Sequence, residues 1–256
     1  EQGINDAQDL VAYCARVSNP ANQFNTETSE KLISYLIKHK HWSPLEMVSM
    51  CLEIETTRDI ARQILRHRSF SFQEFSQRYA DPTAEMSNAF VLREARFQDT
   101  KNRQNSVELD MENQEQKLLA YEWERAQSRV LYAVKKEYKW AIDNGIAKEQ
   151  ARSVLPEGCT MSRMYVNGTL RSWIHYCELR SENGTQKEHA DIAKACAMYL
   201  GLVPKLTSFK IWRSHQTEIS ERSASQNWHR DYNEYQMIRI FLYFNEICNL
   251  HDFVYK

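Results

Sequence analysis

Six glycines in 256 residues, no two of them placed to make a Gly-x-Gly turn, narrow what this chain can be. The glycine-rich turn of a Rossmann dinucleotide site and the P-loop both need such spacings, and both are absent. If the chain holds a phosphate-bearing ligand, side chains must do the holding.

The stretch 66–79, RHRSFSFQEFSQRY, offers those side chains. Arg66, Arg68 and Arg78 supply three guanidiniums. Between them lie His67, the hydroxyls of Ser69, Ser71 and Ser76, the Glu74 carboxylate, and the amides of Gln73 and Gln77. Phe70, Phe72 and Phe75 are threaded through, which a solvated charge run would not need. Planar guanidinium forks bind phosphate and carboxylate bidentately, so the segment reads as an anion-binding element held against a packed core.

Bulk properties remove other classes. The net charge of −1 is low for a general nucleic-acid binder. No apolar run approaches membrane-spanning length, and the N-terminus has no signal-peptide pattern. The six cysteines (14, 51, 159, 177, 196 and 248) form no CxxC pair and no disulfide-like spacing, so they read as buried reduced thiols of a cytoplasmic protein. His39 and His41 stand close in sequence, but no Cys or carboxylate motif completes a metal site.

Periodicity places several helices and a strand along the chain. Leu32, Ile33, Leu36 and Ile37 mark a helix over 27–39, and Pro44 opens a new element. Residues 47–55 alternate, with Val48, Met50, Leu52 and Ile54 on one face of a half-buried strand. A helix starts near Thr57. Its apolar arc is Ile60, Ala61, Ile64 and Leu65; Arg62, Gln63 and Arg66 lie opposite, with His67 at the edge. Residues 80–112 form a long polar excursion, a lid or a partner-contacting loop. A long helix over 113–143 ends at Asn144-Gly145, and a short one over 147–155 stops at Pro156. Residues 160–166 are a strand or a helix start, followed by helices at about 169–181 and 186–200. Residues 211–256 are too aromatic for a disordered tail and read as a helical or strand appendage, packed on the core or on a neighbouring subunit.

Arg66-His67-Arg68, seven residues, then Ser76 resembles the signature of the flavin-dependent thymidylate synthases. The resemblance extends over residues 8–210, through ARVS at 15–18, HWSPLE at 41–46, ARSVLP at 151–156, LRSWIHYCELR at 170–180 and TQKEH at 185–189. It implies an α+β, thymidylate synthase-complementing-protein-like fold, a central β-sheet flanked by long α-helices, over 1–210. Residues 211–256 fall outside it as an extension of unknown role. The family's short strand before ARVS is expected to be shortened or missing here.

The resemblance also implies the reaction. A one-carbon unit passes from methylenetetrahydrofolate to deoxyuridine monophosphate (dUMP) and is reduced to methyl, with FAD reduced by NADPH. The assembly implied is a homotetramer with active sites at subunit junctions. Flavin contacts would be Ser18, His41, Ser43, Arg66, His67, Arg68, Ser69, Glu74, Thr169, Arg171 and His175. Nucleotide contacts would be Gln63, Arg66, Glu74, Phe75, Ser76, Gln77, Arg78, Arg152 and Arg180. Arg180 would lie against the uracil and stabilise charge developing on the ring. Some members have Asn at the position of His175, which leaves the charge state of the His open. Many carry Glu-His where this chain has Glu46-Met47. A lone His is often structural, so His41 has that reading beside the flavin one. Flavin-free thymidylate synthases attack uracil with a Cys thiolate. No Cys lies in a matched motif here, and no general base stands near Ser76, which reads as a binding residue. The rivals are another flavin- or nucleotide-binding reductase on this scaffold, and an RNA- or DNA-binding module using Arg58, Arg62 and Arg66.

Overall fold

The structure, a computed structural model, describes residue 4, residues 6–182 and 184–200, and the backbone of one strand at 238–241. In chain order the elements are α1 (Ala7–Ala15), α2 (Ser29–Lys38), β1 (Ser49–Thr57), α3 (Arg58–Ile64), β2 (Ser71–Glu74), α4 (Pro82–Glu85), β3 (Arg96–Gln98), β4 (Ser106–Glu108), α5 (Gln114–Asp143), α6 (Lys148–Ala151), β5 (Met161–Thr169), α7 (Leu170–Arg180), α8 (Lys187–Tyr199) and β6 (Ile238–Phe241). Short 3-10 turns at Pro20–Asn22, Ser43–Glu46 and Arg152–Val154 join them. The fold is α+β, as expected.

β1 and β5 are the frame. They pair antiparallel along their whole length, from Ser49 opposite Thr169 to Thr57 opposite Met161. β2 adds to β5 and β6 adds to β1, giving the antiparallel order β2-β5-β1-β6. The ambiguous stretch at 160–166 is therefore a strand. β6 falls in the expected C-terminal appendage; the rest of 201–256, with Cys248, lies outside the described residues. Residues 7–15, leading into ARVS, form the helix α1, capped by Asp6, whose carboxylate accepts from the backbone N–H groups of Gln8 and Asp9.

The alternation in β1 places Met50, Leu52 and Ile54 in the core, with Met164 and Val166 from β5. Ile60 and Ile64 of α3, Trp173 and Ile174 of α7, and Ile192 and Ala193 of α8 cover this face, and α1 and α2 extend the same core with Val11, Ile33 and Leu36. Each fully buried Ile or Leu side chain contributes about 1.5–3 kcal/mol. The strand is not half-buried, however. Glu53, Glu55 and Thr57 on the other face are also only 3–5% exposed. Alternation reports polarity, and a carboxylate can be buried when a cation meets it. Arg163 donates from Nε to Glu55 Oε1 at 2.7 Å.

β1 runs into α3, and β5 into α7, without an intervening residue. α3 ends at Ile64, earlier than its apolar arc suggested, and a turn through Leu65–His67 leads to Phe70. The polar excursion at 80–112 contains α4 and the β3–β4 hairpin, whose three-residue strands are too short for periodicity to show. α5 starts at the Asn113 cap and stops at Asn144-Gly145, where Gly145 takes φ +75°, as its sequence predicts. Cys177 and Cys196 are buried, while Cys14, Cys51 and Cys159 are only partly so. Among the described residues no helix is long and apolar enough to cross a membrane.

Phe70 fixes the Arg-rich segment to this frame. Its ring lies 4.6 Å from that of Trp173 and 5.8 Å from that of Tyr176, centroid to centroid, and it fills the space over Gly168. A Cβ at 168 would stand 2.3 and 2.5 Å from two Phe70 ring atoms, so only glycine lets the ring sit there. Gly168→Ala is expected to push Phe70 out and cost about 1–3 kcal/mol, as overpacking does. The check is the urea unfolding midpoint; an unchanged midpoint would show that Phe70 has room to move.

Candidate active site

The structure gathers the sequence-predicted residues into three groups. The first is built on α7 and the turn after α3. Arg180, in the last turn of α7, donates from Nε to His67 Nε2 at 2.9 Å. A guanidinium only donates, so Nε2 carries no proton and His67 is the neutral Nδ1–H tautomer. Burial, then the Arg180 and Arg66 charges, push its pKa from 6.5 down to about 4. The His67 ring packs edge-on against Tyr176 at 4.9 Å. With Nε engaged, the Nη groups of Arg180 have no carboxylate partner among the described residues. Arg66, Arg68 and Ser69, in the turn that carries His67, are exposed, and neither Arg66 nor Arg68 has an ion-pair partner among the described residues. Ser69 engages through its carbonyl, which accepts from Ser172 Oγ at 3.2 Å.

Behind Arg180 lies a polar chain that sequence reasoning missed except for Gln63. His189 Nδ1 is 3.1 Å from Gln63 Oε1, Gln63 Nε2 donates to Gln186 Oε1 at 2.8 Å, and Gln186 Nε2 donates to Glu188 Oε2 at 3.0 Å. His189 is fully buried, and burial followed by the charge of Arg180 and the His67 ring lowers its pKa to about 3. Arg93 anchors the far end. It pairs with Glu188 at 3.0 Å and Asp59 at 2.7 Å, and its Nε donates to the Gly158 carbonyl at 2.9 Å. Burial alone would raise the Glu188 pKa, but Arg93 and nearby hydrogen bonds hold it below the usual value. Arg93, Gln186 and Glu188 help line a cavity of about 680 Å³ that reaches Trp123 on α5. The only sequence hint was the matched TQKEH motif, which contains Gln186, Glu188 and His189.

The second group joins the HWSPLE segment to α7. The His175 and Trp42 rings meet edge-on at 4.5 Å, and Arg171 pairs with Glu46. His41 is exposed, its ring 5.9 Å from that of Tyr35, and Ser43 opens the turn beside it. Thr169 serves as the cap of α7, its Oγ1 accepting from Ser172 N at 3.3 Å. Ser18 is exposed in the loop after α1.

The third group centres on Glu149 of α6. Arg78 donates from Nε to its carboxylate at 3.3 Å, and Arg152 donates from Nε to its carbonyl at 3.3 Å. Lys148 reaches the Tyr79 carbonyl at 3.2 Å. Three cations thus converge from segments about 70 residues apart. Glu74 is already engaged, accepting from Ser162 at 2.8 Å and pairing with Arg58 at 3.5 Å. The Phe75 N–H donates to the Arg163 carbonyl at 2.8 Å, and the Ser76 carbonyl accepts from Tyr79 and Ala80 in a turn. Gln77 is buried, its Nε2 without a hydrogen-bond partner among the described residues. Of the three arginines of the nucleic-acid alternative, Arg58 and Arg62 each meet a carboxylate, Glu74 and Glu157, while Arg66 has no ion-pair partner among the described residues.

The family model for thymidylate synthase complementing protein matches residues 2–203. The chain belongs to that family, the flavin-dependent thymidylate synthases. It is 50% identical over 196 residues to a probable flavin-dependent thymidylate synthase of Paramecium bursaria Chlorella virus 1, covering 76% of this chain and 86% of the viral protein. It is also 50% identical over 188 residues to the flavin-dependent thymidylate synthase of Synechocystis, covering 73% and 81%. Among solved structures it is similar to the UMP/dUMP methylase PolB of Streptomyces cacaoi bound with 5-Br dUMP, with a TM-score of 0.63 and 25% identity, over 82% of this chain and 91% of that one.

The neutrality of His67 has a thermodynamic consequence. Its folded pKa lies below the usual 6.5, so the unfolded chain takes up the proton first as pH falls. The stabilisation is full above pH 6.5 and declines as pH drops toward 4. His67→Gln keeps an acceptor that does not titrate. Its urea midpoint is expected to fall less between pH 7 and 4.5 than that of the wild type, and equal slopes would count against a neutral His67.

Proposed function

We propose that this chain methylates dUMP reductively to dTMP as a FAD-dependent enzyme, with methylenetetrahydrofolate as carbon donor and NADPH as reductant. The observation that carries the reading is the Arg180–His67 hydrogen bond. It joins the Arg-rich signature to the end of α7 and leaves the Nη donors of Arg180 available to a ligand.

The residues fit a flavin dinucleotide. Arg66 and Arg68 are exposed cations without carboxylate partners among the described residues, as a diphosphate requires, and Arg171, His175, His41, Ser43, Ser69, Thr169 and Ser18 would complete the holding set. When bound, the flavin supplies the reducing equivalents that turn the transferred carbon into a methyl group. The chain's own residues do the rest. Arg78 and Arg152, with Lys148, would take the nucleotide phosphate, displacing the contacts they now make with Glu149. Gln63 would contact the nucleotide from beside Arg180. Arg180 would stabilise the negative charge that develops on the pyrimidine oxygens and nitrogen, which makes the ring carbon nucleophilic toward the one-carbon unit.

The same proposal takes residues 1–210 as the catalytic domain and 211–256 as an extension, in the cytoplasm, with no nucleic-acid partner. A homotetramer with sites at subunit junctions is supported by α5, where Leu118, Tyr132 and Trp140 are 57–75% exposed.

The direct test combines the absorption spectrum of the purified protein with tritium release from 5-labelled dUMP. Flavin bands with tritium release are expected. NADPH oxidation without tritium release would leave a flavin reductase, and a colourless protein would remove the flavin reading. Arg180→Ala should retain flavin yet lose about 2.7–4 kcal/mol of transition-state stabilisation, read as a fall in kcat. Normal turnover would remove Arg180 from its role. Arg78→Ala and Arg152→Ala should raise KM for dUMP more than they lower kcat, because phosphate binding is shared by ground and transition states. A lower kcat at unchanged KM would place the phosphate elsewhere.

A further inference from the structure

Four side chains from α3 and the start of α8 form a hydrogen-bonded chain whose direction is not free. It begins at the Glu188 carboxylate, held by Arg93 through Oε1 at 3.0 Å. An ionised carboxylate only accepts. Gln186 must therefore turn Nε2 toward Glu188 Oε2, which it does at 3.0 Å. That leaves Gln186 Oε1 as an acceptor, and Gln63 meets it with Nε2 at 2.8 Å. Gln63 Oε1 then faces His189 Nδ1 at 3.1 Å, so Nδ1 must carry the proton. The remaining ring nitrogen, Nε2, is buried with no hydrogen-bond partner among the described residues.

We propose that Glu188 is a positioning residue that sets the amide orientation of Gln63 through Gln186, so that Gln63 meets the nucleotide with its uncommitted N–H while its oxygen is taken by His189. This deepens the dUMP reading of the same site and rests on it. Gln63 is then a donor toward an acceptor oxygen of the substrate. An amide in a random orientation would present oxygen half the time, opposing a carbonyl or phosphate oxygen.

Glu188→Gln reverses the chain without changing its shape. Arg93 still requires an oxygen at Oε1, so the new amide nitrogen points at Gln186. Gln186 and Gln63 must both flip, and Gln63 then offers Nε2 to His189 Nδ1, which becomes the acceptor. His189 is driven to the Nε2–H tautomer.

The test reads both ends on the full-length flavin-loaded protein. Nitrogen-15 spectra of labelled histidine, assigned with His189→Asn, report the tautomer, and steady-state kinetics report KM for dUMP. The expected result is Nδ1–H in the wild type and Nε2–H in E188Q. KM for dUMP should rise about tenfold, equivalent to about 1.4 kcal/mol, with flavin content and kcat within about twofold of wild type. A structural role alone would not invert a tautomer. Gln186→Met, which cuts the chain while leaving the Arg93–Glu188 pair intact, should raise KM similarly, and it stands in if E188Q does not fold. An unchanged tautomer in E188Q, or an unchanged KM in Gln186→Met, overturns the proposal. If wild-type protein does not turn over dUMP, the substrate reading fails, and the tautomer comparison still decides whether Glu188 directs the chain.

Discussion

A guanidinium held by one nitrogen is an aimed group, and the hydrogen bond from Arg180 Nε to His67 Nε2 does the aiming. It requires an imidazole without a proton on Nε2, at a place where a solvated His would exchange freely between states. The fold supplies the condition in two ways. Packing against Tyr176 withdraws the ring from water, and Arg66 and Arg180 oppose a further positive charge. The packing depends in turn on Phe70 lying over Gly168, the position where β5 must lack a side chain. A glycine in a strand, an aromatic ring and a neutral histidine thus hold one arginine at the end of a helix.

Charge is distributed unevenly around that arginine. Arg58, Arg62 and Arg93 are neutralised by carboxylates and serve the framework. Among the described residues, Arg66 and Arg68 are not. Arg78 and Arg152 sit between these cases. They share Glu149, but the contacts are long and exposed, and exposed pairs of this kind contribute little. An incoming dianion offers more than the single carboxylate it would displace.

Much of this architecture is legible in the sequence. The frame strand, the helices after it and the cap of α5 follow from periodicity and turn chemistry. The Arg-rich segment stands out as a candidate site because basic, hydroxyl and aromatic residues are mixed there at a recognisable spacing. What escaped were pairings across long separations. Gln63 meets His189 over 126 residues, and Arg62 meets Glu157 over 95. No local pattern encodes such contacts. The buried Glu55 misled the reading of β1 because its cation, Arg163, is 108 residues away. Arg93 lay in a stretch whose polarity suggested a loop, and its value as an anchor appears only when β1, α3, α5 and α8 come together around it.

A crystal structure of the protein with FAD and dUMP bound would show directly whether Arg180 is aimed at the pyrimidine. Arg180 is expected to keep Nε on His67 while its Nη groups come within hydrogen-bond distance of a pyrimidine oxygen, with the nucleotide phosphate on Arg78 and Arg152. A pyrimidine bound away from Arg180, or an Arg180 released from His67 in the complex, would contradict it.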